Sequence, residues 1–91
     1  MALVRLPASM REFSKDKPEV RVAGATVREV VDDLERQCPG LKARLLDEHG
    51  AVRRYLNLFL NDEDVRFLGG LDAKVAATDR VTIIPAIAGG A

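Results

Sequence analysis

The chain has 91 residues, with fourteen basic and fourteen acidic side chains and a formal net charge of zero. That balance argues against nucleic-acid binding, which draws most of its affinity from neutralised phosphates. There is also no basic-then-apolar leader and no run of about 18 apolar residues that could span a bilayer. A single cysteine, Cys38, cannot close an internal disulfide, so a reducing cytoplasm is the expected setting.

Residues 2–6 read as a first strand, with Val4 and Leu6 on one face and Leu3 and Arg5 on the other. Pro7 and the polar stretch 9–18 read as a loop. Val20 and Val22 alternate with Glu19 and Arg21 in a second short strand, which pairs with the first as a long-looped hairpin. Thr26 opens a helix, with Glu29 three residues on as a capping box. Val27, Val30, Val31, Leu34 and Cys38 form its apolar stripe. Arg28, Glu29, Asp32, Asp33, Glu35 and Arg36 cover the rest, and Pro39-Gly40 ends it. Residues 41–46 fit one further short turn of helix before a loop at 47–50.

The clearest strand is 54–60, where Leu56, Leu58 and Leu60 alternate with Tyr55, Asn57 and Phe59. Residues 61–64 read as a turn and 65–67 as a short edge strand. Gly69-Gly70 breaks the chain before about one helical turn within 71–77, and 81–84 form a last strand that runs into the tail. The order β-β-α-β-β-β suits an α+β fold of the β-grasp (ubiquitin-like) kind, a mixed sheet of four to five strands packed on one main helix. The domain is expected to span 1–84, with 85–91 a flexible C-terminal tail ending Gly-Gly-Ala. A chain this short buries roughly 60–65% of its unfolded surface, enough for one core but little room for an enclosed active site.

The tail Pro85-Ala86-Ile87-Ala88-Gly89-Gly90-Ala91 resists explanation by core packing. Glycine adds no side chain to bury and costs entropy when ordered, but it leaves a narrow backbone able to enter another protein's channel. A reactive Gly90 would present a main-chain carboxylate. The run Asn57-Leu58-Phe59-Leu60-Asn61-Asp62-Glu63-Asp64-Val65-Arg66-Phe67, then Gly69-Gly70-Leu71, and the later run from Val81 to Gly90 together resemble the MoaD/ThiS sulfur-carrier family. Within it the likeness is to CysO-type carriers of cysteine biosynthesis. The likeness covers nearly the whole chain in element order and is specific mainly from Asn57 onward.

The resemblance implies a carrier acted on by partner enzymes rather than an enzyme, with no bound cofactor. A MoeB-like activating enzyme would use ATP to adenylate the Gly90 carboxylate, and a sulfur donor would convert the acyl-adenylate to a thiocarboxylate. A PLP-dependent cysteine synthase would supply an aminoacrylate acceptor. A zinc metalloprotease of the JAMM type would cut the product free. Gly89 and Ala88 would give the tail its narrow profile. Ala91 departs from the family's free Gly-Gly end, and three readings of it stand: removal by a protease, a residue added in cloning, or a homologue that carries no sulfur. The alternatives to a CysO-type carrier are a MoaD-like small subunit of molybdopterin synthase, a ubiquitin-like protein modifier and a binding-only β-grasp domain.

Alternation places Leu3, Tyr55, Phe59, Thr82 and Ile84 on the sheet face away from the helix. Tyr55, Phe59 and Ile84 are the candidate partner-binding residues, because contiguous exposed apolar groups mark interaction sites. Cys38 continues the helix stripe and reads as core. His49 has no second ligand at zinc spacing, and Asp62-Glu63-Asp64 lacks the spaced oxygens of a calcium loop. Arg53, Arg54 and Arg66 read either as ordinary surface cations or as contacts to acidic groups on a partner.

Overall fold

The computed structural model describes residues 1–85. Alternating apolar residues build β1 (Ala2–Arg5), β2 (Glu19–Val22), β3 (Leu56–Leu60) and β5 (Arg80–Pro85), and the two acidic residues of β4 (Glu63–Asp64) pair with the end of β3. They form one sheet in the order β2-β1-β5-β3-β4. The central pair β1–β5 is parallel and the other pairs are antiparallel. This is the expected mixed β-grasp sheet, with five strands.

Val4, Leu6, Val20, Val22, Leu56, Leu58, Leu60, Val81 and Ile83, which alternate with the set expected on the outer face, are all buried. They pack beneath helix α1 (Val27–Gln37), which contributes Val27, Val30, Val31 and Leu34. A fully buried Leu such as Leu58 contributes about 1.5–3 kcal/mol of transfer free energy, so the cluster supplies the main driving force. Helix α2 (Leu41–Leu45) follows and closes one end of the core with Leu41 and Leu45.

The start of α1 follows its sequence signature. Thr26 Oγ1 accepts a hydrogen bond from the Glu29 N–H at 3.2 Å, and Glu29 Oε1 accepts one from the Ala25 N–H at 2.9 Å. The carboxylate thus reaches one residue further back than a standard capping box. Gly24 approaches this turn so closely that a Cβ there would lie 2.8 Å from the Val30 nitrogen, and its φ of +144° is one that side chains rarely adopt. Only glycine fits between β2 and α1.

Four expectations are corrected. The loop at 9–18 contains a 3-10 helix, Ala8–Ser14, which buries Met10 and Ser14. Ser14 Oγ lies 2.6 Å from the Lys17 carbonyl and so satisfies a buried hydroxyl. Residues 65–67 form a 3-10 helix, not an edge strand, because the Asp64 carboxylate accepts from the Arg66 N–H at 2.9 Å and starts a turn. The edge strand is instead β4, within the expected turn. The helical turn expected within 71–77 is a 3-10 helix at Gly70–Asp72 followed by extended backbone. There Ala73 and Val75 bond the chain entering α1, so the Val27 N–H, an orphan donor of the helix, finds the Ala73 carbonyl at 3.0 Å.

The fourth correction is Asp33, expected on the polar face but buried. Its Oδ2 accepts from the Ala23 N–H at 2.9 Å and from Gln37 Nε2 at 2.8 Å, and Oδ1 accepts from Arg36. The bond from the Ala23 backbone N–H holds its carboxyl below the usual range, against the opposing effect of burial. Asp33 therefore ties α1 to the chain leaving β2. Because the folded pKa is depressed, its contribution is complete above the ordinary carboxylate pKa of about 4 and is lost as pH falls through the lower folded value. Asp33→Ala should cost about 1–3 kcal/mol at neutral pH by stranding the Ala23 N–H, with Asp33→Asn in between. In urea unfolding, the gap between wild type and Asp33→Ala should narrow as the pH is lowered below about 4.

Candidate functional site: the outer sheet face and the root of the tail

The face of the sheet away from α1 carries the residues at odd positions of β1 and β2 and at even positions of β5. In β3 it carries Asn57 and Phe59. The register Leu58↔Ile83 sets Ile84 opposite Asn57 and Thr82 opposite Phe59. Phe59 and Ile84 are therefore diagonal neighbours on one face, within side-chain reach. Ile84 is 42% exposed, whereas Phe59 is half-buried.

Tyr55 lies one residue before β3, in a turn, because the strand starts at Leu56 and not at the expected residue 54. Leu56 pairs with Pro85, so Tyr55 lies at the sheet end where the chain leaves β5. The sheet thus brings Tyr55, Phe59 and Ile84 to the root of the tail. Ala88, Gly89, Gly90 and Ala91 lie outside the described residues. Covalent geometry allows the five residues from Ala86 to Gly90 a span of at most about 18 Å.

One exposed aromatic beyond the edge strand was not foreseen. Phe67 is 83% exposed, with Leu68 beside it also exposed, because the 3-10 turn buries Val65 and rotates Phe67 outward. The signal was Asp64, whose carboxylate favours a turn over a continuing strand. Arg66 directly precedes Phe67. Its Nη2 donates to the Leu56 carbonyl at 2.9 Å and to Asn57 Oδ1 at 2.5 Å, and its Nε lies 3.6 Å from Asp64. Arg66 thus braces the start of β3 opposite Ile84 and Pro85. Arg53 also turns inward, donating from Nε to the Ala43 carbonyl at 3.0 Å, while Arg54 is exposed.

The remaining candidates have structural places. Gly69 and Gly70 adopt φ of +106° and +65°, left-handed values at the chain break expected there. His49 is exposed in a loop ordered by the Asp47 carboxylate. Among the described residues no three His, Cys, Asp or Glu groups come together as a metal site, and no helix is long and apolar enough to cross a membrane.

A sequence model of the ThiS family matches residues 4–90. The chain belongs to the ThiS family. CysO, a sulfur carrier protein of Mycobacterium tuberculosis, is 42% identical over 89 residues, covering 96% of both chains. The structure of the Amycolatopsis orientalis BexX/CysO complex contains a chain of 44% identity that superposes with a TM-score of 0.93, covering 99% of this chain and all of that one. Small archaeal modifier protein 3 of Haloferax volcanii is 35% identical over 66 residues, about 72% of this chain and 71% of its own. This ThiS-family chain therefore shares both sequence and β-grasp architecture with CysO proteins over essentially its full described length.

Cys38 has the environment of a core residue. It is 4% exposed, and burial pushes its thiol pKa up. Since only the thiolate reacts, a disulfide reagent at neutral pH should modify the native protein at least about tenfold more slowly than the urea-unfolded chain. Equal rates would show that the thiol is open to solvent.

Proposed function

We propose that this chain is a sulfur carrier whose Gly90 carboxylate, after removal of Ala91, is adenylated, converted to a thiocarboxylate and used as the sulfur source in cysteine biosynthesis. The observation that carries this reading is the near full-length similarity to CysO. It is supported by a ThiS-family match that ends on Gly90 and leaves Ala91 outside it.

The chemistry requires activation because a carboxylate is a poor electrophile. A MoeB-like enzyme joins the Gly90 carboxylate to the α-phosphate of ATP and releases pyrophosphate. A sulfide-level donor then attacks the acyl carbon and expels AMP, leaving the thiocarboxylate. That sulfur is nucleophilic yet held covalently, so it is not lost as free sulfide. A PLP-dependent cysteine synthase provides the carbon acceptor, and an acyl shift from sulfur to nitrogen leaves cysteine amide-linked to Gly90. Hydrolysis by a zinc metalloprotease of the JAMM type frees cysteine and restores the carboxylate. The same hydrolysis applied to the Gly90–Ala91 bond would unmask the tail, since alanine is smaller than cysteine. In this reading Gly89 and Ala88 let the tail pass a narrow channel, and Tyr55, Phe59 and Ile84 dock the folded domain at its mouth.

Given ATP, the activating enzyme and sulfide, the chain ending at Gly90 should gain the mass difference between oxygen and sulfur, while the chain ending at Ala91 should not. Absence of the gain in the Gly90-ended chain would defeat the proposal. Similarity to a small archaeal modifier protein favours a second reading as a protein modifier. That reading instead predicts higher-mass conjugates stable to reductant.

Docking by the outer face has its own test. Phe59→Asp should raise the KM for the carrier in adenylation about tenfold or more, in line with loss of a central interface aromatic, while circular dichroism reports an intact fold. Unchanged adenylation by a folded variant would remove Phe59 from the interface.

A further inference from the structure

The outer face is divided. Its β3 side and the tail root carry Phe59, Ile84 and Tyr55. The β2-β1-β5 side carries three arginines: Arg5, Arg21 and Arg80, all exposed. The register brings them together, because Leu3 pairs with Arg21 on one side and with Arg80 on the other, and Arg5 pairs with Thr82. Neighbouring strands are about 4.8 Å apart, so Arg21 and Arg80 flank Leu3 at a backbone separation of roughly 10 Å, with Arg5 one pleat further along.

Arg5 lies 3.7 Å from Glu19, and among the described residues neither Arg21 nor Arg80 has an ion-pair partner. Arg5 and Arg80, with Asn61, Asp62, Thr78 and Thr82, line an open hollow of about 400 Å³. The helix layer on the opposite side balances its own charge, the four acids of α1 standing against Arg28 and Arg36 and against Lys42 and Arg44 of α2. On the outer face the three arginines have only Glu19 and Asp62 as near acids, so this part of a neutral chain is locally positive.

We propose that Arg5, Arg21 and Arg80 form an electrostatic docking site for an acidic protein surface on the enzyme that receives the tail. The inference rests on the carrier reading for the identity of that enzyme and goes beyond it in naming a second, charged half of the interface. Continuity carries the argument, since Arg5, Thr82 and Phe59 lie side by side in one cross-strand row that joins the basic half to the apolar half. Charge complementarity selects the partner. A locally positive face on a neutral domain is turned toward an acidic surface, which raises the association rate without requiring net charge. A nucleic acid fits poorly, because Leu3 sits between the cations, Glu19 and Asp62 border them, and zero net charge gives no general attraction to a polyanion. The acidic patch on the partner should lie about 10–15 Å from its apolar contact, the span of two to three strands.

The test measures binding of the full chain to the MoeB-like activating enzyme by calorimetry and stopped flow, at about 50 mM and about 300 mM salt. Wild type should bind more weakly at the higher salt. The double variant Arg21→Glu/Arg80→Glu should bind about tenfold or more weakly at low salt, mainly through slower association, and should lose most of the salt dependence. Arg21→Lys/Arg80→Lys should restore both, and Lys74→Glu, exposed beside the entry to α1 and outside the cluster, should change neither. Equal affinity and salt dependence in wild type and the Glu variant overturn the proposal, as does failure of wild type to bind. Tight, salt-sensitive binding of a single-stranded oligonucleotide that is lost in the Glu variant would assign the patch to nucleic acid and also overturn it. ATP–pyrophosphate exchange on the Gly90-ended chain is read separately. Binding with the expected salt dependence but without exchange would sink the carrier reading and leave the docking surface standing.

Discussion

The pairing of β5 between β1 and β3 is the constraint on which the rest of the molecule depends. A central strand has both edges bonded, so its register cannot slip without breaking two ladders at once. That register places Val81 and Ile83 in the core and turns Thr82 and Ile84 to the opposite face. It also fixes Pro85, the last described residue, beside Leu56. The apolar patch, the arginine cluster and the root of the tail all take their positions from this one strand.

The two faces of the sheet do separate work. The inner face is saturated by α1 and α2, and it includes Cys38, a potentially reactive group made inert by burial. The outer face has no helix among the described residues to cover it. Its mixture of Phe59, Ile84 and arginines suits a surface that is dry at one end and charged at the other, as protein interfaces with a buried centre and polar rim are built. Arg66 joins the two by bracing the first residues of β3 from an edge turn, using donors that a surface reading of an arginine would assign to solvent.

Much of this was legible in the sequence because the strands alternate strictly and the helix begins with Thr26 and Glu29. Both signals are local, and both persist in the folded chain. Two of the features that went unread depend on contacts distant in sequence. Asp33 sits among charged neighbours on α1 and is drawn inward only because the Ala23 N–H, ten residues earlier, needs an acceptor. The stretch after Gly70 resembles a helical turn until the entry to α1 offers it hydrogen-bond partners. Phe67 looked like a strand residue because three residues are too few for periodicity to distinguish a strand from a 3-10 turn. The resemblance carried by Asn57–Phe67 and the tail pointed to the ThiS family before any geometry was considered.

One consequence of the sheet order concerns synthesis of the chain. The central strand is also the last to emerge, so β1 and β3 have no partner between them until residue 85 is available. Folding must wait for this long-range closure. A chain cut before β5 lacks the strand that bonds β1 to β3, and with it both the inner face that holds the core and the outer face that carries the arginines.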